Sequence, residues 1–388
     1  MTTVPTGIDL TGLQFAPSQT WGANRLVPLL RAEPITDLRL HPRLYGEELS
    51  VVLVEPRTVY VSYVPHSFVA TWTGDGQPAA AYGTQLRDPL ATRKAPCCVP
   101  LRFHRRMARR ASRNRLRFLP QHLALEGYLA LHFGGPEVAW EEWSRRAIAQ
   151  GLSPRCEAAY VGAEVPGLDE ALRVFEIHPG QCGMLIFVAD ALAGAFVVPH
   201  PDDYRALHAT LLQDLYGELL YLYAQVPGPV SEPHPGVDAA RVQSVADLRI
   251  ELERARAEWT ARHAVMAAGL FEQADLAFER VYRMGRFTLW RFLPSFDLHG
   301  ENHIGESITD REGRLAYLKT FRLSVAQTRR GHLLASLAAH GWELDATAEA
   351  LRTDRASLIL RLDRAGFGHM LRQDILDACR SPNRSQRR

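Results

Sequence analysis

The stretch Val226-Pro-Gly-Pro-Val-Ser-Glu-Pro-His-Pro-Gly236 divides this chain. Its four prolines and two glycines cannot sit inside a helix or sheet, because proline lacks an amide donor and glycine adds backbone freedom. A boundary is therefore expected there. Upstream, residues 1–225 read as an α+β ligand- or partner-binding domain. After the linker at 226–237, residues 238–330 read as a helical region and 331–380 as a helix-turn-helix-like unit, with a disordered basic tail at 381–388. The fold class predicted is α+β, with a β-rich start and an all-α C-terminal part.

Composition agrees with two parts. At 388 residues the chain exceeds the size at which one core keeps growing. With 46% hydrophobic and 23% charged residues it is globular, which excludes disorder of the whole chain. There is no apolar run of about 18 residues, so no membrane span is expected, and Met1 to Leu13 lacks the pattern of a secretory leader. Five scattered cysteines without a CxxC spacing suit a reducing, cytoplasmic setting. The neighbours Cys97 and Cys98 read as small packing residues.

Within the first part, Ser50 to Val54, Thr58 to Val64 and Phe68 to Thr73 read as strands, with Thr73-Gly-Asp-Gly76 as a hairpin turn. Leu119 to Phe133 and Ala139 to Gln150 have helical periodicity. Arg173 to His178 and Gly183 to Val188 read as buried strands around a turn at Pro179-Gly180, and Asp202 to Ala224 as a long helix. In the second part, Ser244 is placed to cap a helix through about Met266. Leu270 to Met284, and the chain from Leu315 onward, continue the helical reading.

Net charge is +2, so any attraction to nucleic acid must come from local patches. The densest patch is Arg102 to Arg117, with eight arginines including Arg105, Arg106, Arg109, Arg110 and Arg113. On a helix, Arg105, Arg109 and Arg113 would stack on one face, and such repulsion is relieved by bound anions. These residues are candidates for holding a phosphate-bearing ligand; pairing with Glu137, Glu141 and Glu142 is the other reading.

Leu333 to Phe367 carries the clearest local pattern, with three short helical segments and Gly341 and Gly366 at helix ends. It resembles the Fis-type helix-turn-helix of bacterial enhancer-binding proteins. Thr347 and Ala348 fall on that motif's small-residue pair, Leu351 on its core leucine and Ser357-Leu358 on its Thr-Leu. Two departures stand out: Arg352 replaces the turn glycine, and the apolar Ile359 and Leu360 replace basic residues. Arg355, Ser357, Arg361 and Arg364 remain as candidate nucleic-acid contacts. The opposing reading is a packing unit whose apolar face is buried.

Metal chemistry has two weak candidates. His299, Glu301 and His303, followed by Glu306, alternate in a loop, and His200 with Asp202, Asp203, His208, Asp214 and Glu218 forms the second set. Neither spacing matches a strong metal motif, so no metal is assigned. No glycine-rich phosphate loop or catalytic triad pattern is present, and no cofactor is assigned.

Four further stretches, Trp21-Gly-Ala-Asn-Arg-Leu-Val-Pro-Leu29, Phe175-Glu-Ile-His-Pro-Gly-Gln-Cys-Gly183, Val198-Pro-His-Pro-Asp-Asp-Tyr204 and Leu211-Leu-Gln-Asp-Leu-Tyr-Gly-Glu218, resemble the second type of ARG and Rhodanese-Phosphatase-superfamily-Associated Protein domain. The resemblance implies a bacterial accessory or regulatory protein near ADP-ribosylglycohydrolases and other NAD- or ADP-ribose-handling proteins. It carries no catalytic residue across. One rival is an enzyme on ADP-ribose, using the arginine cluster with Glu176, His178, His200 or Asp203 as acid and base. A protein-binding scaffold is the other. The helical region from Ser244 to Met284 is a candidate for pairing two copies of the chain.

Overall fold

The computed structural model describes residues 4–42, 51–55, 58–61, 68–71, 80–81, 108–112, 115–118, 168–215, 236–272, 275–368 and 371–380. In chain order the strands are β1 (Leu13–Phe15), β2 (Gln19–Trp21), β3 (Asn24–Arg31), β4 (Arg39–Pro42), β5 (Val51–Glu55), β6 (Thr58–Val61), β7 (Phe68–Thr71), β8 (Ala80–Ala81), β9 (Ala108–Ser112) and β10 (Arg115–Phe118). Helix α1 (Leu168–Val174) follows, then β11 (Gln181–Val188), β12 (Ala191–Val197), α2 (Pro201–Leu215) and α3 (Val245–Phe271). The chain continues through β13 (Ala277–Met284), β14 (Phe287–Leu293), β15 (His303–Thr309) and β16 (Leu315–Arg322). It ends in α4 (Val325–Ala339), α5 (Leu344–Ala350), α6 (Arg355–Leu362) and α7 (Gln373–Arg380).

The protein is α+β. Its centre is a nine-stranded antiparallel sheet in the order β1-β3-β11-β12-β16-β15-β14-β13, with β2 also paired to β3. Strand β11 explains the layering, because Gln181 to Phe187 are all buried and such a run needs cover on both faces. Met184 and Ile186 point into a core with Phe175 of the α1 end and Tyr204, Leu207 and Leu211 of α2. Leu185 and Phe187 point into a second core with Ala267 and Leu270 of α3. Helices thus cover both faces of the sheet. A third core docks α4, α5 and α6 onto the strand ends, joining Leu333, Leu334, Leu337, Ala348, Leu358 and Leu362 to Leu293, Phe296, Ile304 and Leu323. Gly331 of α4 fits this contact because any Cβ there would enter the Phe296 ring.

Several segment-level expectations change. Arg173 closes helix α1 instead of opening a strand, and residues 175–178 are irregular before the Pro179-Gly180 turn. Acidic Asp169 and Glu170 at the start of α1 and Arg173 at its end suit the helix dipole. The region 238–330, expected to be helical, holds α3 and then four strands. α3 begins where Ser244 caps it, its side chain accepting from the Asp247 amide, but it stops at Phe271. Beyond it, short apolar runs such as Leu315, Tyr317, Leu318 and Phe321 satisfy helical and strand periods alike, and pairing decides between them. Strands from both sides of the proline-rich stretch belong to the one sheet, through β12 and β16.

Where it is described, the arginine-rich segment is strand and not the helix on which its arginines would stack. Arg109 and Arg110 lie in β9, which pairs antiparallel with β10 so that Arg109 sits opposite Arg117. These strands join β5 and β6 in a small sheet, and β4, β7 and β8 form another. Arg105, Arg106 and Arg113 lie outside the described residues, as do Cys97 and Cys98, the Thr73 to Gly76 turn, the segments 119–133 and 139–150, and the tail. Among the described residues, no helix is long and apolar enough to cross a membrane.

Candidate functional site

Residues of the four quoted stretches of the first part meet on one face of the sheet. Trp21 lies edge-on to Phe175 with ring centroids 6.5 Å apart, and the Gln19 side-chain amide donates to the Glu176 carbonyl at 2.8 Å. Gln181 accepts from the His178 amide at 2.9 Å and donates to the Gly183 carbonyl at 3.1 Å. In the first turn of α2, Asp203 is 3% exposed and accepts three hydrogen bonds: Arg39 Nε at 2.8 Å, Arg39 Nη2 at 2.6 Å and the Leu40 amide at 2.8 Å. One turn on, the buried His208 ring meets Tyr204 Oη at 3.0 Å and the Phe175 carbonyl at 2.9 Å.

Burial governs the electrostatics here. It pushes His208 down to about 4, so the ring is neutral, and pushes the Cys182 thiol up to about 11 beside Arg31. Burial likewise raises the Tyr204 hydroxyl and lowers Arg31. A neutral thiol and a neutral imidazole with both nitrogens engaged are packing groups and not a nucleophile with its base. Of the residues weighed as acid or base, Asp203 is fully engaged in bonds. His200 accepts the Asp202 amide at 3.2 Å, while Glu176 and His178 stand at the rim. Among the described residues, no hydrogen bond or ion pair joins the side chains of any two of the four.

The loop before β15 does not assemble a metal site. His299 is exposed, with its amide on Asp297 Oδ1 at 3.0 Å, and Glu306 pairs with Arg291 at 3.4 Å. Among the described residues no group of three or more His, Cys, Asp or Glu could hold a metal ion. Glu301 and His303 do come together. His303 is 0% exposed, and its Nε2 is 3.6 Å from Glu301 Oε2, while Arg322 Nη2 reaches Glu301 Oε1 at 3.1 Å. Neither ring nitrogen of His303 and not Glu301 Oε2 makes a hydrogen bond.

In the C-terminal part, Ser324 and Gln327 form a capping box at the start of α4. The chain turns through Gly341 at φ 62° and reaches α5, whose Thr347 and Ala348 are buried. After Leu351, Arg352 adopts φ 50°, the left-handed conformation that the expected glycine would have taken. Asp354 then caps α6 by accepting from the Ser357 amide at 2.9 Å and hydroxyl at 2.5 Å. Arg355 pairs with Asp345 at 2.8 Å. Arg361 and Arg364 are exposed and engage no carboxylate among the described residues. Ile359 is 1% exposed and Leu360 half-buried, so the apolar substitutions point inward. Arg380 of α7 closes the unit with bonds of 2.7 and 2.8 Å to Asp363.

Residues 8–285, more than half of the 388, match the ARPP-2 family. This chain belongs to the ARPP-2 family. No curated protein and no solved structure matches it. The ARPP-2 match takes in the Asp203 and His208 cluster and α3, and stops at Gly285 in the turn between β13 and β14. Strands β14 to β16 and the helices after them lie past the matched residues of this ARPP-2 chain. The family's full name, ARG and Rhodanese-Phosphatase-superfamily-Associated Protein, fits an accessory protein associated with ADP-ribose-related genes. Two groupings escaped the sequence reading, Arg39 with Asp203 and Gly269 with Glu301, because the partners lie far apart in the chain and no local spacing links them.

Proposed function

We propose that this ARPP-2 protein is an accessory, regulatory factor of ADP-ribose handling whose α5–α6 unit docks on a nucleic-acid backbone as a helix-turn-helix. The observation that carries this reading is the turn at Arg352. A left-handed residue between a buried small-residue helix and a capped second helix keeps the geometry that the missing glycine would otherwise supply. Arg361 and Arg364 are cations of that unit without a carboxylate partner among the described residues, and Arg355 and Ser357 join them after releasing Asp345 and Asp354. With Ile359 buried, phosphate contact is favoured over reading of base edges. The arginines of 102–117, with Arg105, Arg106, Arg109, Arg110 and Arg113, supply the matching role in the first part, a seat for a phosphate-bearing ligand.

Pairing of two copies through α3 belongs to the same reading, since readers of this kind bind as dimers. Val245, Leu248 and Leu252 lie three and four residues apart, on one side of α3, and are 69%, 38% and 39% exposed. Fluorescence anisotropy on duplex DNA over a salt series tests the docking. Affinity should fall with salt, and Arg361→Glu with Arg364→Glu should lower the slope by about 1 for each lost phosphate contact. Absence of binding, or binding indifferent to salt, removes this function. Light scattering on the full chain reads the dimer, and Leu248→Glu with Leu252→Glu should return it to a monomer.

A further inference from the structure

Three elements converge on Glu301. Its carboxylate lies against α3 at Gly269, where any Cβ would strike the Glu301 carboxylate. It lies beside His303 at the start of β15, and it takes Arg322 from the end of β16. Glycine inside a helix costs about 1 kcal/mol relative to alanine, and buried polar atoms without partners are rare in folded proteins. Here Glu301 Oε2, Asn302 Oδ1 and both His303 nitrogens are buried and without hydrogen bonds, in three consecutive residues. Local stability has been given up at one spot, which is how functional positions depart from the rules of packing.

Its location suggests what the spot controls. Ile304 follows His303 and Leu323 follows Arg322, and both lie in the core that docks α4 to α6. The Leu323 amide donates to the Asn302 carbonyl at 2.8 Å, tying the loop to the strand end from which α4 departs. We infer that the His303, Glu301 and Arg322 cluster couples proton uptake to the docking of the helical unit 325–380 on the sheet. Protonation would put a second cation beside Arg322 around a single carboxylate and would leave a charged Nδ1–H without an acceptor. Of the charged groups acting on His303, Glu301 favours the protonated ring and Arg322 disfavours it, and burial outweighs the attraction of Glu301. The nearest other titratable group on the inner side of α3, His263, sits against the Phe15 and Phe187 rings. Burial already holds His303 below its ordinary value. Stability from the neutral ring is therefore complete above the unfolded value of about 6.5 and is lost as pH falls below it.

The coupling does not depend on nucleic-acid binding. Hydrogen exchange on the full chain, corrected for intrinsic rates, reads it at about pH 7.5 and about pH 5. Between these two pH values, peptides from 325–380 should lose protection severalfold. His303→Gln should abolish the difference. Arg322→Gln, at an outer position, should reduce it by removing the competing cation. Equal protection at the two pH values overturns the inference. So does a loss that persists in His303→Gln, since His332 or His340 of α4 would then be responsible.

Discussion

Two places in this molecule bring together a carboxylate, an arginine and a buried histidine, and they are finished differently. At the start of α2, Asp203 accepts three hydrogen bonds and both nitrogens of His208 are engaged. At the start of β15, Glu301 holds Arg322 by one oxygen, while its other oxygen and both His303 nitrogens have no hydrogen bond. A buried polar group adds to stability only when its partners are present. The α2 cluster is thus part of the frame of the ARPP-2 domain, whereas the β15 cluster is a weak joint between that frame and the helical unit. Residue types alone would have made the two look alike.

The largest expected effect is at the frame. Asp203→Ala would strand Arg39 and the Leu40 amide and should cost about 3 kcal/mol, since bonds to charged groups contribute about 1.5–3 kcal/mol each and Arg39 keeps some access to water. Glu301→Ala should cost about 1 kcal/mol, because only one half-exposed ion pair is lost. Urea unfolding of both variants measures the gap. Equal costs would break the distinction.

Acid should act on the frame as well as on the joint. With His208 at about 4 in the fold and about 6.5 when unfolded, its stabilisation is complete above about 6.5 and disappears as pH falls toward 4. At 1.36 kcal/mol per unit, roughly 3 kcal/mol is at stake. The slope of unfolding free energy against pH should therefore fall in His208→Gln. That substitution should itself cost about 2 kcal/mol at neutral pH by leaving Tyr204 and the Phe175 carbonyl unpaired. His303→Gln should cost less than about 1 kcal/mol, because no hydrogen bond is broken. A reversed order would show that the β15 cluster is the better satisfied of the two.

The same contrast explains what the sequence discloses. Signals confined to a few residues are legible: the Ser244 cap, the Gly341 and Gly366 ends, and the buried run of β11 all stand where they are expected. Strands β13 to β16 were not legible, since their apolar residues fit two periods and only neighbours distant in sequence select the strand. The functional groupings suffered in the same way. Arg39 and Asp203 are 164 residues apart, and the alternation of His299, Glu301 and His303 suggested three ligands where the fold turns one outward and buries another. Arg352 is the opposite case: the residue is not the glycine expected at that turn, yet it adopts the left-handed conformation of one.

The smallest expected effect lies on the surface of the helical unit. Arg355 and Asp345 are 51% and 68% exposed, and exposed ion pairs contribute about 0–1 kcal/mol. Arg355→Ala should leave unfolding within about 0.5 kcal/mol of the parent. If the pair serves the fold, that is its whole consequence. If Arg355 instead swings from Asp345 to a phosphate, Asp345→Asn should strengthen DNA binding by freeing the guanidinium, and Arg355→Ala should weaken it at unchanged stability. Anisotropy with these two variants at one salt concentration decides the point, because a static pair predicts no change in either direction.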